Sequence, residues 1–190
     1  GRITPVIHEI FPIEIHAGLE EDQVWREKIE PILKDIRANV LQICHHGFTE
    51  IFNNVIDHAQ AINGWISLDR SAGSIQMVLA DNGIGIFEKI KQACGLEDHR
   101  HAILELAKGK LTTDPERHTG EGIFFTSRMF DKFSILSGKL YFSHSGDEDW
   151  LIEDKDQEQK GTAVSMSIAE NSMRTAQEVF NRYAGEARDY

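Results

Sequence analysis

The chain has 190 residues, 41% hydrophobic and 27% charged, enough for one hydrophobic core with at most a short appendage. Its 20 Lys and Arg against 31 Asp and Glu leave a formal charge of −11, which repels phosphate backbones at long range and argues against nucleic acid as a direct partner. A polyphosphate would have to be held locally, by backbone N–H groups, a helix terminus and a bound cation. Cys44 and Cys94 are the only cysteines and form no CxxC pair, the pattern of free thiols in a reducing compartment. No apolar run approaches the roughly 20 residues needed to span a bilayer, and the start carries no secretory or transit signature. The expectation is a cytoplasmic protein. Because the first residue is Gly1 rather than Met, the sequence is also expected to be part of something larger.

Residues 6–15 alternate loosely and predict a strand interrupted near Pro12. Residues 19–36 predict a surface helix with Pro31 inside it, and 39–61 a longer, more apolar helix. In the second, Phe48, Ile51, Phe52, Val55 and Ile56 form one apolar stripe, while Glu50, Asn53, Asn54, Asp57 and His58 cluster on a neighbouring face. Strands at 65–69 and 74–80 read as a hairpin. Helices follow at 86–94 and 99–107, then a loose segment, 109–120, and a helix at 121–130. Strands at 133–136, 139–143, 150–153 and 163–168 precede a final helix at 172–187. This order predicts an α+β two-layer sandwich, a mostly antiparallel mixed sheet covered on one face by helices. Residues 1–38 belong to the same domain as 39–190.

Three short motifs stand in order. Glu50-x-x-x-Asn54-x-x-x-His58 places a carboxylate, an amide and an imidazole above one another on one helix face. The Asn54 amide oxygen suits Mg²⁺ and Glu50 can accept a proton from water or a hydroxyl, although the same spacing also describes a solvated polar face. Asp81-Asn82-Gly83-Ile84-Gly85-Ile86 follows the apolar strand MVLA. A carboxylate at a strand end can accept from the exocyclic amino group of a base while glycine admits close backbone approach; a helix-capping turn has the same letters. His118-Thr119-Gly120-Glu121-Gly122-Ile123 enters a helix, where N–H groups and the dipole favour phosphate, as an ordinary glycine loop also would. Lys160-Gly161-Thr162 opens the last strand.

Taken together and in this order, these motifs resemble the N box, G1 box, lid, G2 box and closing GT strand of the GHKL (gyrase, heat-shock chaperone, histidine kinase, mismatch repair) superfamily over roughly residues 39–168. The resemblance implies the Bergerat-type ATP-binding fold, with ATP and Mg²⁺ as ligands. It implies that Asn54 coordinates Mg²⁺, that Asp81 hydrogen-bonds the adenine amino group, and that Thr162 assists Asp81. By the same resemblance Gly83, Gly85 and Ile86 shape the adenine pocket, and Thr119, Gly120, Gly122 and Ile123 bring the phosphate-binding turn. Glu50 falls at the general-base position, His58 near the phosphates, and residues of about 88–119 in the lid.

Phe124 stands where histidine kinases usually carry a third glycine, and Gly122-Ile-Phe-Phe-Thr-Ser-Arg-Met-Phe-Asp131 is more similar to the anti-sigma-factor serine kinases of bacteria. The N box FTEIFNNVIDHA points the same way. The implied function is a Mg-ATP-dependent kinase or ATPase of a bacterial signalling system, or a non-catalytic ATP-dependent switch within a larger protein. The partner would be a protein or phosphoacceptor, with neither nucleic acid nor membrane, and the resemblance allows a homodimer. No GxxxxGK[ST] P-loop and no HExxH-type zinc spacing occurs. His45 and His46 read as partly buried or surface histidines, Trp65 and Trp150 as packing residues, and 147–158 as a solvated acidic hairpin flank.

Overall fold

The fold is built by alternating strands whose buried faces look one way, towards a layer of helices. The computed structural model describes residues 6–54, 61–107 and 119–184. In chain order these form β1 (Ile7–Glu14), α1 (Glu21–Val24), a π-helical turn (Trp25–Ile29), α2 (Glu30–Leu33), α3 (Ala38–Asn53), β2 (Asn63–Ser71) and β3 (Ser74–Asp81). Next come α4 (Ile86–Cys94), α5 (His99–Ala107), α6 (Thr119–Met129), β4 (Lys132–Gly138), β5 (Leu140–Ser145), β6 (Glu148–Glu153), β7 (Gln159–Ala169) and α7 (Ala176–Tyr183). The strands form one seven-stranded sheet, ordered β1-β2-β3-β7-β4-β5-β6. The expected α+β sandwich forms, with every strand pairing antiparallel rather than mixed.

Register explains both the core and the site. Across the central strands the inward residues line up in rows: Leu68, Met77, Met166 and Phe133 form one, and Ile66, Leu79, Val164, Ile135 and Phe142 the next. All nine are buried, against Phe48, Ile51 and Phe52 of α3, Phe87 and Ile90 of α4, and Ile123 to Phe125 of α6. Each such side chain contributes about 1.5–3 kcal/mol by leaving water. Helix α3 comes so close that a methyl group on Gly47 would lie 2.5 Å from the Phe130 ring. The next row along changes character, because Asp81, Thr162 and Ser137 replace the aliphatic residues and are still buried.

Some expected elements differ. Strand β1 runs straight through Pro12 without interruption. Because Ile15 N–H donates to Ile62 O (2.8 Å), strand alternation turns the Pro12 nitrogen to the open side of an edge strand, where no ladder bond is lost. The helix expected at 19–36 is divided: Glu30 N–H reaches back five residues to Trp25 O, widening the turn that precedes Pro31, which could not continue a regular helix. Its buried residues Trp25, Ile29 and Leu33 make it part of the core rather than a surface helix. Helix α3 covers Ala38–Asn53 with Asn54 as its C-cap, and residues 55–60 of the expected helix, Val55, Ile56, Asp57 and His58 among them, lie outside the described residues.

Trp65 and Trp150 are not packing residues: they are 44% and 58% exposed, because alternation puts both on the helix-free face. His45 and His46 are half-buried packing residues, with ring centroids 4.7 Å from Trp25 and 5.6 Å from Phe180. The last helix starts later than expected, at a capping box in which Thr175 Oγ1 accepts from Glu178 N–H and Glu178 accepts from Thr175 N–H, both at 3.2 Å. Among the described residues no helix is long and apolar enough to cross a membrane.

Candidate functional site

The polar row opens at the end of β3. The Asp81 carboxylate folds back to accept from Gly83 N–H (2.7 Å) and also takes a hydrogen bond from the Thr162 backbone N–H. It is 3% exposed, and burial pushes its pKa up to about 6 against the two hydrogen bonds, which pull it down. Thr162 does a second job, because its Oγ1 accepts from Ile86 N–H (2.8 Å) and so caps the first turn of α4. One threonine thus ties the strand end, the carboxylate and the helix start together.

Two glycines make this approach achievable. Gly161 has φ +76°, and a Cβ there would overlap the Asp81 carbonyl and lie 3.0 Å from Asn82 Cα. Gly85, the N-cap of α4, has φ +91° and would place a Cβ 2.5 Å from Ser137 Oγ. Ser137 Oγ donates to Gly161 O (3.0 Å) and lies 3.4 Å from Thr162 Oγ1. Asn82 Oδ1 accepts from Ile62 N–H and Asn63 N–H, both at 3.1 Å, and pins the start of β2. Neither Ser137 nor Asn82 was picked out from sequence. Asn82 was visible as the second letter of the DNG motif, whereas a serine before a strand-end glycine carries no signal of its own.

The second half of the site lies between α3 and α6. The Glu50 carboxyl group fills the space where a Cβ would stand on Gly122, so the missing side chain there lets the carboxyl group approach. Gly122 lies in the fourth position of α6, with Thr119 and Gly120 in its first turn and Ile123 buried behind it. Glu50 therefore rests on the N-terminal turn of α6, the positive end of that helix. Burial raises its pKa.

One turn beyond Glu50, Asn54 is 8% exposed. Its Nδ2 donates to Glu50 O (2.6 Å), which fixes the amide orientation, and its Oδ1 is buried with no hydrogen-bond partner among the described residues. A buried orphan amide oxygen is costly unless something binds it, and as a neutral hard donor it fits Mg²⁺. Among the described residues no three His, Cys, Asp or Glu side chains gather as a metal site.

The sequence-predicted residues thus fall into two groups: Asp81, Gly83, Gly85, Ile86 and Thr162 at the strand ends, and Glu50, Asn54, Gly120, Gly122 and Ile123 where α3 meets α6. Thr119 opens α6 beside Gly120. His58 lies outside the described residues, as does 108–118 of the expected lid. The remainder of that lid, before Thr119, is α4 and α5, whose Ile90, Ala102 and Ile103 are buried in the core. Beside Gly83 and Gly161 a cavity of about 660 Å³ opens, lined also by Phe87, by Glu88 hydrogen-bonded to His99, and by Lys160.

No protein-family model matches the chain, and no curated protein matches it. Among solved structures it is similar to the 43K ATPase domain of Thermus thermophilus gyrase B, crystallised in complex with an aminocoumarin. That likeness has a TM-score of 0.38 and 15% sequence identity, and covers 88% of this chain. The chain spans only 45% of the length of that solved domain.

Proposed function

We propose that this chain binds Mg-ATP as a GHKL-type regulatory domain and works as a protein kinase or ATPase in bacterial signalling. The observation that carries this reading is the orphan Oδ1 of Asn54, buried one turn from a glutamate that rests on the glycine turn of α6. A metal ligand, a proton acceptor and a helix N-terminus are what a triphosphate needs from an acidic protein.

In this reading Asp81 accepts a hydrogen bond from the adenine amino group, held in place by Gly83 and Thr162. Gly85 and Ile86 form the adjoining wall. The first turn of α6, at Thr119, Gly120, Gly122 and Ile123, offers backbone N–H groups to the phosphates, with His58 beside them. Mg²⁺ held by Asn54 and the phosphates would neutralise phosphate charge. Glu50 takes the proton from the attacking oxygen, a protein hydroxyl in a kinase or water in an ATPase.

Calorimetric titration with ATP and Mg²⁺, using Asp81→Asn as control, tests the site. Magnesium-enhanced binding that the variant loses is the expected result, and no binding by the folded wild type would reject it. Glu50→Gln then tests the chemistry: turnover should vanish while affinity stays near wild type. Negligible wild-type turnover, with partner binding retained in Glu50→Gln, would assign a non-catalytic ATP-dependent switch instead.

A further inference from the structure

The sheet has two edges, and they are treated differently. The β1 edge carries Pro12, which blocks strand addition. The other edge is β6, six residues in unbroken register with β5 and every one exposed. Neither proline nor bulge interrupts it. Asp154 N–H donates to Lys139 O (2.8 Å), so by alternation the backbone groups of Trp150 and Ile152 face β5 while those of Asp149, Leu151 and Glu153 face outwards. Among the described residues no strand pairs with that outer side.

The strand is held firmly from behind. Asp149 bonds His144 Nδ1 (2.5 Å) and Arg128, and Glu153 pairs with Arg100 of α5. On the helix-free face Trp150 and Ile152 are 58% and 53% exposed, and Tyr141 and Leu136 continue the apolar surface along the same sheet row as Ile152. Residues 147–158 carry seven carboxylates against one lysine.

That charge decides the occupant. Antiparallel self-pairing centred on Leu151 sets Asp149 opposite Glu153, and a shift of one residue sets Glu148 opposite Glu153 or Asp149 opposite Asp154. Like charges directly opposite are destabilising, so a second copy is repelled. We infer that β6 is a docking edge for an extended basic segment of a partner protein, added to the sheet as an eighth strand. Its alternate apolar side chains lie on Trp150 and Ile152 and its Lys or Arg side chains meet the acidic rim. This inference does not rest on the proposed nucleotide binding.

The test uses the whole chain and a short blocked peptide alternating Lys and Val, with a Glu/Val peptide as control. The Lys/Val peptide should bind, more weakly as salt is added, and should slow hydrogen exchange at the amides of Asp149, Leu151 and Glu153. Leu151→Pro removes an outward N–H without breaking the β5 ladder and should weaken binding roughly tenfold or more. Should that variant misfold by circular dichroism, Glu148→Lys with Asp154→Lys serves, and should reduce the preference for the Lys/Val over the Glu/Val peptide; an unchanged preference would overturn the inference. Absence of binding, equal binding to Leu151→Pro, unchanged exchange at the three amides, or dimerisation through β6 without peptide would each overturn the inference.

Discussion

The carboxyl group of Glu50 occupies the position a side chain would need on Gly122, so the helix that supplies the acid and the helix that supplies the glycine turn fit together at one point. Two motifs about seventy residues apart in the chain become one surface there. Gly122→Ala sets a methyl group against the mobile end of a glutamate. Stability should fall by only about 1 kcal/mol, because the carboxylate can rotate aside. If the proposed chemistry holds, ATP turnover should fall by roughly a hundredfold, because the displaced group is the proposed proton acceptor. Thermal melts and single-turnover assays on the same preparation check both halves, and unchanged turnover would remove Glu50 from the chemistry.

Asp81 is a carboxylate held at a cost. Its folded pKa, about 6, lies above the ordinary 3.8, so the native state binds a proton that the unfolded state has released between those values. Stability contributed by this group therefore rises as pH falls from about 6 towards 4, and is lost as pH climbs through 6, a span of about 3 kcal/mol. Asp81→Asn should raise the melting temperature of the ligand-free chain at pH 7.

Adenine recognition should run in the opposite sense. Protonation of Asp81 replaces the charged acceptor with a weaker neutral one, so under the proposed reading adenosine affinity should decline below about pH 6. Calorimetry across pH 5 to 8 checks this; a flat profile would show that Asp81 does not read the base.

Asn54 Oδ1 is buried without a partner among the described residues, so its removal sacrifices no existing hydrogen bond of that atom. Asn54→Ala loses the bond from Nδ2 to Glu50 O, a loss of about 1 kcal/mol that relief of the orphan oxygen offsets. Denaturation midpoints should thus stay near wild type while ATP affinity ceases to respond to Mg²⁺. Retention of the magnesium effect would place the cation elsewhere.

Gly161 tests the frame rather than the chemistry. A Cβ there meets backbone of Asp81 and Asn82, which cannot rotate away, in a conformation already at φ +76°. Gly161→Ala should cost about 3 kcal/mol or more in urea unfolding, well above Gly122→Ala, although the two substitutions are chemically the same.

Local chemistry made much of this legible from sequence alone. The alternation in 65–69 and 74–80 specified a hairpin because strand side chains have a period of two, and it emerged as β2 and β3. Helices at 86–94 and 99–107 emerged at those bounds because Gly85 and Gly95 delimit the first and periodicity marks the second. The stripe of Phe48, Ile51 and Phe52 is buried as its spacing required. Asp81 and the glycine motifs were readable as candidates since few residue types can perform those tasks.

What only the tertiary structure decided depends on distant partners. Pro12 is tolerated because β1 is an edge strand, and no local pattern distinguishes an edge from a centre. Trp65 and Trp150 face outwards because the helices cover the opposite side of the sheet, whereas Trp25, on an apparently superficial helix, is buried. Ser137 entered the site through register alone, since pairing β4 with β7 sets it beside Thr162. The contact between Glu50 and Gly122 likewise exists only because α3 and α6 pack on the same face of the sheet. Residue type determined what each group can do, and packing decided which groups can do it together.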